Sequence, residues 1–185
     1  SDAAVFMHDI QKSKPERIEA ATKLVWNDKQ ATVNAPEAIS ALKDALFFSI
    51  LITYAQGLAQ LRTASKEYNY ELNLETVTKI WRGGCIIRAD VLEDFRKAFA
   101  ANPNLPNILL DSDIAKKFNE TQAGIREVIQ FAVQKGLPVA GLMNSLAYFD
   151  AYRSENLPTN MIQAQRDYFG AHTYERTDLP GTFHT

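Results

Sequence analysis

Residues 34–68, NAPEAISALKDALFFSILITYAQGLAQLRTASKEY, decide the fold. Asn34 and Pro36 make a start signal: a capping residue, then proline in the first turn, where its missing N–H costs nothing. From there to about Tyr68 nothing breaks the helical pattern, and Gly57 alone weakens it. About 33 residues at ~1.5 Å rise give roughly 50 Å of helix. A compact globule of this size has a radius of gyration of only about 16 Å, so such a helix runs the full width of a domain, or beyond it into a partner. Its most apolar part, ALFFSILITYA at 45–55, lies between Asp44 and Gln56. Spanning a bilayer takes roughly 20 apolar residues, so this run reads as a buried helix.

The same periodicity continues in both directions. Upstream, residues 4–25 place Val5, Ile10, Ile18 and Leu24 among polar residues, broken at Lys14-Pro15 and followed by the turn-like Asn27-Asp28. Downstream, the spacing predicts helices over 73–81, ending at Gly83-Gly84, and over 88–100, closed by Asn102-Pro103-Asn104 and Pro106. A brief helix over 112–118 and a separate one over 121–134 follow, the second stopped by Gly136. The last two cover 138–152 and 160–169, with Gly170 as the final stop. No alternating strand pattern and no internal repeat is visible, so the expected class is all-α.

Composition narrows the function classes. The 185 residues are 46% hydrophobic and 23% charged, enough for one domain with a real core or for most of a larger protein's second domain. A net charge of −2, a pI near 5.9 and 20 Lys and Arg interleaved with 22 Asp and Glu argue against a nucleic-acid partner. The single Cys85 excludes an internal disulfide and fits a reducing compartment. Ser1 to Arg17 lacks the basic start and apolar run of a signal peptide. Without a secretory signal the acceptor pattern Asn119-Glu120-Thr121 is coincidental, and a cytoplasmic, soluble protein with no membrane role is expected. The glycines never form G-x-G-x-x-G, and His8, His172 and His184 lack zinc spacing, so no metal is expected. Cys85, in WRGGCIIRA, lies near Arg82 and Arg88, but a small buried hydrophobe at a tight helix–helix turn is the simpler reading.

The tail stretch QAQRDYFGAHTYE, residues 163–175, is different. Arg166 falls in the last helical turn and His172 just beyond Gly170. On an unbroken helix six residues span about 600° and separate the two side chains. A break at Gly170 frees His172 to swing back, and the pair can then clamp a phosphate, Arg by its planar fork and His by a ring N–H. The plainer alternative is that Arg166 answers the helix dipole or pairs with Asp167 or Glu175.

WRGGCIIRA at 81–89 and LPTNMIQAQRDYFGAHTYER at 157–176 resemble 6-phosphogluconate dehydrogenase. So do YAQG at 54–57, NPNLPNILLD at 102–111, FDAYRSENLP at 149–158 and FHT at 183–185, all in the right order. The resemblance implies a helical domain with one long central helix over 1–170 and a C-terminal tail over 171–185. It also implies that the family's NADP-binding Rossmann domain, catalytic lysine and catalytic glutamate lie upstream of anything in this chain. The parent reaction is then NADP-dependent oxidation of 6-phosphogluconate with decarboxylation to ribulose 5-phosphate and CO2, in the pentose phosphate pathway. This chain alone is expected to be inactive. In the family, the residues matching Arg166 and His172 reach the substrate held by the other subunit, so a homodimer is implied. In the family, Val-Phe and one further residue precede a phosphate-contacting arginine; His8 stands there instead, a shorter side chain with at most two donors. It either still donates one hydrogen bond, weakens the hold on phosphate or marks a different substrate, the plainer alternative being that it only packs or is solvated. The family motif continues with a tryptophan past Thr185, so the end of the tail is expected to be incomplete. The alternative is a helical dimerisation module that has lost the chemistry.

Overall fold

The computed structural model describes residues 2–26 and 34–185; the turn expected at Asn27-Asp28 lies outside them. The chain starts with α1 (Asp2–Lys12) and α2 (Lys14–Lys23), separated at Ser13, where Pro15 requires a restart. Then come α3 (Ala35–Glu67), α4 (Leu74–Arg82) and α5 (Val91–Ala101). A 3-10 turn (Ile108–Leu110) leads into α6 (Ser112–Lys135), followed by α7 (Ala140–Tyr152) and α8 (Asn160–Gly170). The strands β1 (Tyr174–Glu175) and β2 (Thr182–Phe183) pair antiparallel, Tyr174 opposite Phe183. The chain divides into two compact units, Ser1–Ala147 and Tyr148–Thr185, with the division falling inside α7.

In the first unit α3 and α6 form the core. Ala41 and Asp44 lie against Gly124, whereas Phe48 meets Phe118 edge-on at 5.1 Å. Rising numbers on one helix therefore meet falling numbers on the other, and the pair is antiparallel. Ala45, Phe48, Leu51, Ile52 and Ala55 are buried on α3, with Ile114, Phe118 and Ile125 on α6. An 18-residue window of α3 reaches a mean hydropathy of 1.5, enough by length and composition to cross a membrane. Its buried stripe belongs to the core of this unit, while Ile39, Leu42 and Leu46 stay exposed.

One helix replaces the two expected over 112–134. Nothing between Phe118 and Thr121 stops propagation, and the Thr121 hydroxyl returns to the Lys117 carbonyl at 2.8 Å. Its ends are closed as the residues dictate. The Asp111 carboxylate accepts from the amides of Asp113 and Ile114, and Gly136 takes φ 65° so that the Leu137 amide reaches the Ala132 carbonyl at 2.8 Å. Asn34 precedes α3 as expected, but its side chain caps no amide. Helix α5 begins three residues later than expected, because Cys85–Arg88 form a turn, closed by the Arg88 amide on the Cys85 carbonyl at 3.0 Å, and the Tyr54 hydroxyl donates to the Ile87 carbonyl within it. Tyr54 of YAQG also packs on Phe95 at 5.7 Å and lies beside Trp81. Half-buried Cys85 sits in this joint, which agrees with a packing role.

Arg96 ties α4 to α5. Its guanidinium meets Glu93 through two nitrogens, at 2.8 and 3.1 Å, and Glu75 at 2.9 Å; Arg82 adds a contact to Glu93 at 2.8 Å. The hydrogen bonds from Arg96, helped by its charge and those of Arg82 and Lys97, outweigh partial desolvation and lower the Glu93 pKa from 4.5 to about 2. A depressed carboxylate pKa adds stability that is complete above the unfolded value and is lost as pH falls through the folded one. Between pH 4.5 and about 2 the stability of the chain should therefore fall less steeply in Glu93→Gln than in the parent. Urea midpoints inside that window and at neutral pH measure the difference.

Candidate functional site

The second unit builds its site on one face of α8. Gln163, Asp167 and Gly170 follow the i, i+4, i+7 spacing that aligns side chains on a helix, with Arg166 adjoining. The helix includes Gly170, and the left-handed residue that ends it is Ala171, at φ 52°. The sequence reading assigned that stop to Gly170. Gly170 acts differently: a Cβ at 170 would come within 3.1 Å of Nε2 of His172, so the ring would have to shift. The His172 ring thus folds back over the last turn of α8 and rests on the bare glycine.

Gln163 sits between the two predicted clamp residues. Its Oε1 accepts from Arg166 Nη1 at 3.3 Å, and its Nε2 donates to the carbonyls of Thr173 (2.5 Å) and His172 (3.4 Å). Arg166 and His172 are both exposed, and Arg166 bonds to Gln163 rather than to the Asp167 or Glu175 of the plainer alternative. His172 lines a cleft of about 650 Å³ together with Asn160, Gln163, Thr173 and Glu175; Arg166 is one hydrogen bond removed from its wall. His8 is exposed on α1 and belongs to the first unit.

Asp167 is fully buried. Its Oδ1 accepts from the Thr173 amide at 2.6 Å and faces His184 Nδ1 at 3.0 Å. Its Oδ2 takes the Thr185 amide and hydroxyl, both at 2.9 Å. Burial by itself would raise the carboxyl pKa, but the hydrogen bonds from Thr185, His184 and Thr173 outweigh it and hold the group well below the usual carboxylate range. Sequence reasoning weighed Asp167 only as a partner for Arg166 and missed both Gln163 and the role of Gly170. The available signal was their shared helix face. The hairpin was missed as well, since two-residue strands are too short to show alternation. Among the described residues no group of three or more His, Cys, Asp and Glu is placed to hold a metal ion.

Fold and site together define a mostly helical chain whose last helix carries Arg166 and is followed at once by His172 beside a cleft. Residues 2–185 match the family described as 6-phosphogluconate dehydrogenase, C-terminal domain, and the chain belongs to that family. It is 48% identical over 183 residues to the NADP(+)-dependent, decarboxylating 6-phosphogluconate dehydrogenase of Bacillus subtilis (strain 168), covering 98% of this chain and 39% of that protein. It is 46% identical over 184 residues to the decarboxylating enzyme of Lactococcus lactis subsp. lactis (strain IL1403), covering 98% and 38% respectively. The solved Plasmodium falciparum 6-phosphogluconate dehydrogenase, studied apo, with its cofactor NADP+ and with its substrate 6-phosphogluconate, superposes with a TM-score of 0.90 at 36% identity. That match covers 99% of this chain and 40% of the other. The chain thus spans about two fifths of the length of these relatives.

Proposed function

We propose that this chain is the substrate-closing part of an NADP-dependent, decarboxylating 6-phosphogluconate dehydrogenase, with residues 1–170 as its helical domain and 171–185 as its tail. Arg166 and His172 bind the phosphate-bearing end of 6-phosphogluconate, Arg166 through its fork and His172 through one ring nitrogen. The observation that carries this reading is the amide of Gln163, which links the Arg166 guanidinium to the backbone of His172 and Thr173 at the rim of a cleft. Because Glu175 also faces that cleft, the guanidinium has to supply the attraction for an anion. His8 stands in for an arginine and offers one hydrogen bond in its place; His8→Arg should lower KM for the substrate, which steady-state kinetics would show.

The enzyme acts in the cytoplasm as a homodimer whose tail closes the neighbouring subunit's site. The support for a dimer is the line of Ile39, Leu42, Leu46 and Ile50 on α3, between 39% and 67% exposed among the described residues, an apolar stripe at helical spacing that the core of its own unit leaves partly open to water. Among the described residues there is no parallel sheet and no glycine-rich strand-to-helix turn. NADP is then bound mainly by the coenzyme domain of the whole enzyme, and no step involving it is assigned to these residues. Hydride transfer and decarboxylation belong to the whole enzyme.

Calorimetric titration of the dimer with 6-phosphogluconate tests the reading. A saturable heat that disappears in Arg166→Ala is expected. No heat in the parent would favour the second reading, a dimerisation module without chemistry, for which His8 in place of arginine is the supporting observation. NADPH formation by the 185-residue chain alone would contradict the assignment of the chemistry to the whole enzyme.

A further inference from the structure

We propose that Asp167 is a positioning residue for substrate binding: it anchors both ends of the tail segment to α8 and so sets the orientation of His172. This rests on the clamp reading above.

Among the described residues Asp167 is the one charged side chain that is buried. An ionised carboxylate removed from water is costly unless its lone pairs are filled. Here they are filled by tail donors: the Thr173 amide on one oxygen, the Thr185 amide and hydroxyl on the other, and His184 Nδ1 within reach of both. Thr173 precedes β1 and His184 follows β2, so the carboxylate closes the base of the hairpin onto the helix. Its shortest contact, 2.6 Å to the Thr173 amide, falls on the residue after His172.

Thr173 itself is left-handed at φ 61°, as is Ala171 at φ 52°. Two non-glycine residues in that region persist only where the surroundings hold them. The bond from the Thr173 amide to Asp167 and the bond from the Gln163 amide to the Thr173 carbonyl supply that hold from two sides. Between them the His172 ring is set on Gly170.

Asp167→Asn keeps the shape but replaces one acceptor oxygen with an NH2 group that faces donors. In the whole dehydrogenase it should raise KM for 6-phosphogluconate about tenfold to a hundredfold, the scale of a misplaced binding group, and leave KM for NADP unchanged. In a His172→Ala background the same substitution should add nothing further, because the group it orients is gone. A wild-type KM in Asp167→Asn, or an effect that adds fully to that of His172→Ala, would overturn the inference. If Asp167→Asn does not fold, His184→Ala removes one donor from a half-exposed position; it should raise the same KM severalfold, and no rise overturns the inference.

An NMR readout on this chain is independent of the clamp reading. The contact between the His172 ring and the Gly170 α protons should be lost in Asp167→Asn, and its survival would again overturn the positioning role. An unchanged KM in His172→Ala would instead bring down the clamp and leave Asp167 to be judged by the NMR contact.

Discussion

Gly124→Ala destabilises the chain, and Gly57→Ala stabilises it. Both glycines lie inside long helices, α6 and α3, where alanine gains about 1 kcal/mol over glycine through helix propensity. The space around them differs. A Cβ at 124 would stand 2.6 Å from the Asp44 Cβ and 3.1 Å from the Ala41 carbonyl, whereas one at 57 meets nothing within 4 Å. Relief at 124 requires α3 and α6 to move apart by a good part of an ångström, since the obstacles are a backbone oxygen and a carbon fixed to the backbone. That loosens Phe48 on Phe118, the central contact of the core. Overpacking of this kind costs about 1–3 kcal/mol, and the upper part of the range applies because no flexible side-chain end can yield. The net loss for Gly124→Ala is about 2 kcal/mol, against a gain of up to about 1 kcal/mol for Gly57→Ala. Chemical denaturation of the two variants under identical conditions reads both signs; a stabilised Gly124→Ala would show that the helices are not in close contact there.

Where each helix starts and stops was legible when a single residue type decided it. Pro15, Pro36, Gly136 and the Asn-Pro-Asn at 102–104 all end or open helices where expected. The reading failed where nothing decided. Two helices were expected, over 112–118 and 121–134, yet no residue between Phe118 and Thr121 opposes helix and α6 runs through. The proposed clamp draws on the sequence only in part. Arg166 and His172 stand out by chemistry, but Gln163, Asp167 and Gly170 work through distance and shape, which depend on the path of the tail. A buried aspartate among exposed neighbours looks, in one dimension, like any other surface acid. Its burial follows from Thr185, 18 residues away.

Arg166→Ala raises KM for 6-phosphogluconate in the whole dehydrogenase by about 10- to 150-fold, and KM for NADP far less. The figure converts about 1.5–3 kcal/mol for a lost hydrogen bond to a charged group. The side chain is exposed and has a single long bond, 3.3 Å to Gln163, so its fork remains available to an incoming phosphate. The same exposure means that removing it should change stability by no more than about 0.5 kcal/mol, and unaltered denaturation would separate lost binding from lost structure. Arg166→Lys should recover part of the loss, because an ammonium keeps the charge but cannot present two parallel N–H groups to one phosphate. A truncation that removed only ground-state binding would leave kcat intact, and one that let the substrate tilt would lower kcat as well. Gln163 links the guanidinium to the segment carrying His172, so loss of the arginine also removes one tether on Gln163 at the cleft, and a modest fall in kcat should accompany the rise in KM. Unchanged substrate kinetics would exclude Arg166 from the site, and the tail would then have to be understood through His172 and its anchor alone.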